Sequence, residues 1–138
     1  MADWNLNQLV PHRPPALLLD RVLEVMENGM NVRAVLPVGE PSPFLFIEAA
    51  AQSVAAYQGI DQARKGEPPK TGFLVAARDF KFCSPDVEPG PVDIRVTLVK
   101  DLNPFYLFNA RLQREGTLVA EGTITLFESP GGVNAPAV

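Results

Sequence analysis

This sequence predicts an α+β domain in which a strongly curved antiparallel sheet wraps one long central helix. Three observations predict it: one helical stretch apolar on every side, a strand hairpin ahead of it, and four alternating stretches behind it. A helix without a polar face belongs inside a protein. With only two strands before it, it is hidden only where the sheet curls around it.

In chain order, Asp3 to Val10 opens with Asp3 or Asn5 as cap of a short helix presenting Trp4, Leu6 and Leu9. Pro11-His12-Arg13-Pro14-Pro15 forms a stiff loop, because prolines lack donors and push their predecessors towards extended geometry. Leu17 to Met26 and Met30 to Leu36 read as a hairpin closed at Asn28-Gly29, a pair that accepts positive φ. Asp20 and Arg21 interrupt its first strand and are expected as an internal ion pair or hydrogen-bonded strand residues. Ser42-Pro43 then reads as helix cap and first helical position. The helix ends near Gly59 or continues, more polar, to Gly66. Gly72 to Phe82, Val92 to Lys100, Phe105 to Arg114 and Thr117 to Phe127 alternate as strands do. The domain is expected over residues 1–128, with Ser129 to Val138 as a mobile tail of Gly, Pro and small residues.

Glu48 stands in the second turn of the buried helix, where an unpartnered carboxylate costs several kcal/mol or holds its proton. Either state suits acid/base chemistry. Gln52 follows at i+4, so both polar groups leave one face. The plainer alternative for Glu48 is a satisfied core carboxylate, and for Gln52 a packing residue.

The 138 residues, 46% hydrophobic, suffice for one full core. One cysteine, Cys83, forbids an internal disulfide and fits a reducing compartment, so a cytoplasmic protein is expected. The N-terminus lacks the basic start and apolar run of a signal peptide, and no stretch reaches the ~18 apolar residues of a membrane span. A net charge of −4 argues against nonspecific nucleic-acid binding. With one Cys and one His, zinc-type ligand spacing is excluded. No cofactor is called for.

A hairpin, an apolar helix and four antiparallel strands, in that order, make the hotdog fold. Its sheet edges and half-covered helix end are expected to be buried by a second hotdog chain, as a homodimer or heteromer. The segments LVPHRPPALLLDRVLEV, FIEAAAQSVA, GFLVAARDFKFCSPDVEPGPVDIRVTLVK and GTLVAEGTITL resemble the 3-hydroxyacyl-acyl-carrier-protein dehydratases of the hotdog superfamily over nearly the whole chain to Glu128. The resemblance implies a substrate presented as an acyl-carrier-protein or coenzyme A thioester, in fatty-acid or polyene-type lipid synthesis. It gives Glu48 the role of the helix carboxylate that handles the departing β-hydroxyl, and Gln52 that of its supporting glutamine.

One departure matters more than the matches. Where those dehydratases keep a Gly-His-Phe-Pro-Gly segment with the proton-abstracting histidine, this chain has VLPVGEPSPF. His12, the only imidazole, matches the family's other histidine. The family's glycine at the helix start is replaced by Phe44, leaving the Phe44 or Leu45 amide to polarise the thioester carbonyl. This pattern resembles a sub-group encoded with polyene and other specialised lipid pathways, in which two unlike hotdog proteins pair.

Three mechanisms follow. His12 removes the α-proton while Glu48 protonates the leaving hydroxyl; or Glu48 is half of a composite site whose histidine comes from a partner; or Glu48 activates water, as in a thioesterase. A non-catalytic acyl-binding or partner-stabilising subunit is the fourth reading. Tyr57, Phe44, Phe46 and Phe80 are expected along an acyl tunnel or as plain core. Arg64, Lys65, Lys70, Arg78 and Lys81 form a basic patch for the carrier protein or a solvated face.

Overall fold

A computed structural model describes residues 4–9, 17–39, 42–68, 71–83 and 88–129. The order is α1 (Leu6–Leu9), β1 (Leu19–Met26), β2 (Gly29–Leu36), α2 (Phe44–Arg64), β3 (Thr71–Phe82), β4 (Gly90–Leu102), β5 (Phe105–Arg114) and β6 (Thr117–Ser129). The six strands form one antiparallel sheet in the order β1-β2-β4-β5-β6-β3. The hotdog fold expected from the sequence is present.

Strand alternation decides which residues meet the helix. Val92, Ile94 and Val96 of β4, Phe108, Ala110 and Leu112 of β5, and Ile124 and Leu126 of β6 are buried with Phe46, Val54, Tyr57 and Ile60 of α2. Each large side chain removed from water contributes roughly 1.5–3 kcal/mol before entropy is subtracted. Small residues at Ala49, Ala50 and Ala56 let the sheet approach the helix closely.

Several local expectations shift by a residue, each for a visible reason. Pro43 takes the cap and Phe44 starts the helix, with the Phe44 amide donating to Ser42 Oγ at 3.3 Å. The helix runs past Gly59 to Arg64, and its end is set by Gly66 at φ 68. There the Gly66 amide donates to the Ala63 carbonyl and the Glu67 amide to that of Gln62, a Schellman closure that only an αL residue completes easily. The hairpin turn is Glu27-Asn28, since Met26 pairs with Gly29. Gly29 is required instead by closeness: a Cβ there would overlap the carbonyl oxygen of Val96. Strand β6 continues through Ser129, paired with Thr71, one residue beyond the expected boundary; residues 130–138 lie outside the described residues.

Asp20 and Arg21, expected as an internal pair, are both exposed. The β1–β2 register breaks between Leu19 and Arg21, which turns both side chains away from the core. In β3 the register breaks between Arg78 and Lys81, so Asp79, at φ 55, and Phe80 together face Gly122. The Phe80 ring lies where a Gly122 side chain would be.

The sheet does not enclose α2 completely. Leu45, Glu48, Ala55 and Gly59 are half-buried and fall on one stripe at helical spacing. Leu9 of α1 covers Gly59, where a Cβ would stand 3.1 Å from Leu9 Cδ2. The N-terminal part of the stripe carries Glu48.

Candidate active site

Gln52 lies in that stripe but is 1% exposed. The backbone amide of Leu18, just ahead of β1, donates to Gln52 Oε1 at 2.9 Å. An amide N–H only donates, so the atom it meets is the carboxamide oxygen and the –NH₂ points the other way. Gln52 Nε2 accordingly donates to Glu48 Oε1 at 3.1 Å. Leu18 is itself held, its carbonyl accepting from the Val35 amide at 2.8 Å. The chain of bonds runs from the β1–β2 sheet through a buried glutamine to a half-buried carboxylate.

Of the two expectations for Glu48, unpartnered or satisfied, the second is the one present: Glu48 is bonded to Gln52, and it is only half-buried. Its Oε1 is the atom that accepts from Gln52. Such an arrangement can deliver a proton to, or accept one from, a group entering along the open stripe.

The other expected residues are placed as follows. His12 lies outside the described residues. Phe44 is 73% exposed at the helix start, and Leu45 is half-buried. Both their amides, expected to be open for a thioester carbonyl, are engaged: Phe44 with Ser42 Oγ, and Leu45 with the Ser42 carbonyl at 3.0 Å. Tyr57 is 1% exposed, edge-to-face on Phe108, with its hydroxyl donating to the Glu27 carbonyl at 2.8 Å. That is the plain-core alternative, and burial raises its pKa, with Asp61 adding to the effect. Phe46 stacks on Phe82, which adjoins Phe80. Arg64 and Lys65 both bind Asp61, and Lys70 lies outside the described residues.

Sequence reading missed a second polar group on α2. Glu128, 6% exposed at the end of β6, accepts from Gln58 Nε2 at 3.0 Å and from Gln62 Nε2. Burial and the neighbouring Glu128 carboxylate raise the Tyr106 pKa. The signal was available: Glu128 continues the inward phase of Ile124 and Leu126, and Gln58 and Gln62 are spaced i,i+4.

Residues 4–136 match the ApeP-like family, described as ApeP dehydratase. The chain belongs to that family. This ApeP-like chain is 29% identical over 138 residues to the 3-hydroxyacyl-(acyl-carrier-protein) dehydratase FabZ of Streptococcus sanguinis strain SK36, covering 91% of this chain and 96% of the relative. It is 28% identical over 132 residues to FabZ of Streptococcus pneumoniae strain Hungary19A-6, covering 87% and 92%. Among solved structures, a chain of the dehydratase heterocomplex ApeI:P from Xenorhabdus doucetiae superposes with TM-score 0.81, 19% identity and 93% of both chains covered. A structure described as a putative thioesterase from Shewanella oneidensis superposes with TM-score 0.62 and 12% identity, covering 80% and 83%. These structural likenesses share the hotdog fold with the ApeP-like chain. Among its described residues no helix is long and apolar enough to cross a membrane.

Proposed function

We propose that this protein dehydrates a 3-hydroxyacyl thioester, with Glu48 as the acid that serves the leaving hydroxyl. The observation that carries the reading is the Leu18–Gln52–Glu48 relay, which holds a carboxyl at the open stripe of α2 with Oε1 occupied. In the reaction a histidine takes the proton from the α-carbon. Its electron pair forms the Cα–Cβ double bond, the Cβ–O bond breaks, and the proton on Glu48 leaves with the hydroxyl as water. The Phe44 amide exchanges its 3.3 Å bond to Ser42 Oγ for the thioester carbonyl, polarising it as the α-proton departs. The FabZ relatives are described as acting on acyl-carrier-protein thioesters, which supports the same handle here.

The base is His12 or a histidine of a second hotdog chain. Strand β3 ends the sheet, with β6 on one side only, so its other edge is suited to pairing with another copy or a homologue. The heterocomplex described for the ApeI:P structure supports the second arrangement.

The test is turnover of a 3-hydroxyacyl thioester by the purified chain, following enoyl absorbance and thiol release together, beside Glu48→Gln and His12→Ala. Enoyl product lost in both variants makes the chain self-sufficient with His12 as base. Loss with Glu48→Gln alone assigns the base elsewhere. Activity appearing only when a histidine-bearing hotdog partner is added assigns the composite site. Thiol release without enoyl product overturns the dehydratase reading in favour of a thioesterase. Silence with every partner tried leaves an acyl-binding subunit.

A further inference from the structure

We infer that the outer face of the sheet carries a binding site for a phosphate-type oxyanion, centred on Arg95 of β4 and Arg111 of β5. The inference is independent of the dehydratase reading, because these residues point away from α2 and Glu48.

Strand register places a continuous row of side chains across that face. Glu24 pairs with Asn31, Asn31 with Arg95, Arg95 with Arg111, Arg111 with Glu121, and Glu121 with Lys81. Arg95 and Arg111 are therefore directly opposite one another. Like charges in that position oppose sheet pairing.

The partners of these two guanidinium groups differ from those of Arg33 nearby. Arg33 is bidentate on Asp93, with Nε at 2.8 Å and Nη2 at 3.3 Å, and that bond raises its pKa. Arg95 gives its Nε to a neutral amide oxygen, Asn31 Oδ1, at 2.9 Å. Asn31 in turn donates to Glu24 at 3.2 Å, which occupies the nearest acid of the row on that side. Arg111 has Glu121 at 3.8 Å, beyond a hydrogen bond, and Glu121 also faces Lys81 across the next strand. Neither guanidinium makes a close charge-assisted bond to a carboxylate among the described residues.

Both arginines line a groove of about 620 Å³ on the outer face together with Leu23, Asn31, Gln113 and two carboxylates, Glu24 and Asp93, of which the first accepts from Asn31 and the second is held by Arg33. Two planar guanidinium forks across one strand spacing present parallel donors to a tetrahedral oxyanion. The Gln113 amide supplies a neutral donor beside them. A bound dianion replaces mutual repulsion with two charge-assisted contacts. That is the physical gain which balances a sheet pairing unfavourable on its own.

The experiment is titration of the full chain with inorganic phosphate and, separately, with a nucleoside monophosphate, followed by arginine Nε–H resonances and by Tm. Saturable shifts at Arg95 and Arg111, weakened roughly tenfold or more in Arg95→Gln and in Arg111→Gln, are expected. Glu121→Gln is expected to tighten binding by removing a competing carboxylate, and Lys100→Gln to leave it unchanged. Without phosphate, Arg111→Gln is expected to raise Tm slightly, and phosphate to raise Tm in the wild type but not in the variant. Tighter binding of the monophosphate points to an ester as the resident ligand, and equal binding to the free ion. No saturation with either probe overturns the site. So does binding that persists in the double variant, or a fall in Tm in Arg111→Gln that would make the pair a structural ladder.

Discussion

Glu48 and Glu128 are both served by glutamines of α2, yet one is reachable and the other is sealed. Glu48 accepts from Gln52, whose other end is tied to the Leu18 backbone, and it stays half-buried. Glu128 meets two glutamine amides and is 6% exposed. The same pair of residue types thus gives a poised acid where the sheet leaves the helix open, and an internal tie where β6 closes over it. Access, more than residue identity, separates the two.

The largest effect that would break this contrast is on turnover. Glu48→Gln is expected to lower kcat about 10³-fold, with unfolding free energy moving by no more than about 1 kcal/mol. Glu128→Ala is expected to do the reverse. It leaves two buried amides without their acceptor and costs roughly 2–4 kcal/mol in urea unfolding, while the residual folded protein turns over normally. A Glu128→Ala chain as stable as the wild type would show that the tie is dispensable.

Gln52→Ala sharpens the comparison because it touches both properties. It orphans the Leu18 amide, costing roughly 1–3 kcal/mol, and it frees the Glu48 carboxyl to turn, lowering kcat about 10²-fold. Gln52→Glu keeps an acceptor for Leu18 but sets a second buried carboxyl against Glu48 in place of the Nε2 donor, so it should restore neither stability nor activity at neutral pH.

The smallest effect belongs to the tyrosines. Tyr57 and Tyr106 have pKa values raised by burial from the ordinary 10.0. Their contribution is complete below the unfolded tyrosine pKa and is lost as pH rises from about 10 through the folded values, because only the unfolded chain ionises there. Tyr57→Phe is expected to cost about 1 kcal/mol at neutral pH, through the lost bond to the Glu27 carbonyl, and to flatten the alkaline limb of a stability–pH curve.

The helix and its acid were legible in the sequence because both rest on local periodicity. An apolar run with Glu48 and Gln52 four residues apart leaves little choice of face. The strand pattern was equally plain, since β4 alternates from Val92 to Leu98 and β6 from Ala120 to Leu126. What escaped was non-local. The Leu18 amide carries no residue-type signal, and its role appears only once β1 lies across α2. Gly29 was read for its φ, whereas its function is to let the Val96 carbonyl approach. Glu128 falls just past the strand expected to end at Phe127, although its phase with Leu126 already points it inward. Helix-start amides were expected to be open, but Ser42 closes back on them.

The ring of Phe80 resting on Gly122 links two positions more than forty residues apart into one heritable unit. Neither can change size alone: a methyl at 122 meets the ring, and a smaller residue at 80 leaves a gap over the glycine. A lineage drifting at this spot must pass through an unfavourable single step. Gly122→Ala with Phe80→Leu should therefore coexist far better than either substitution separately, and the two columns should vary together wherever the bulge at Asp79 is kept.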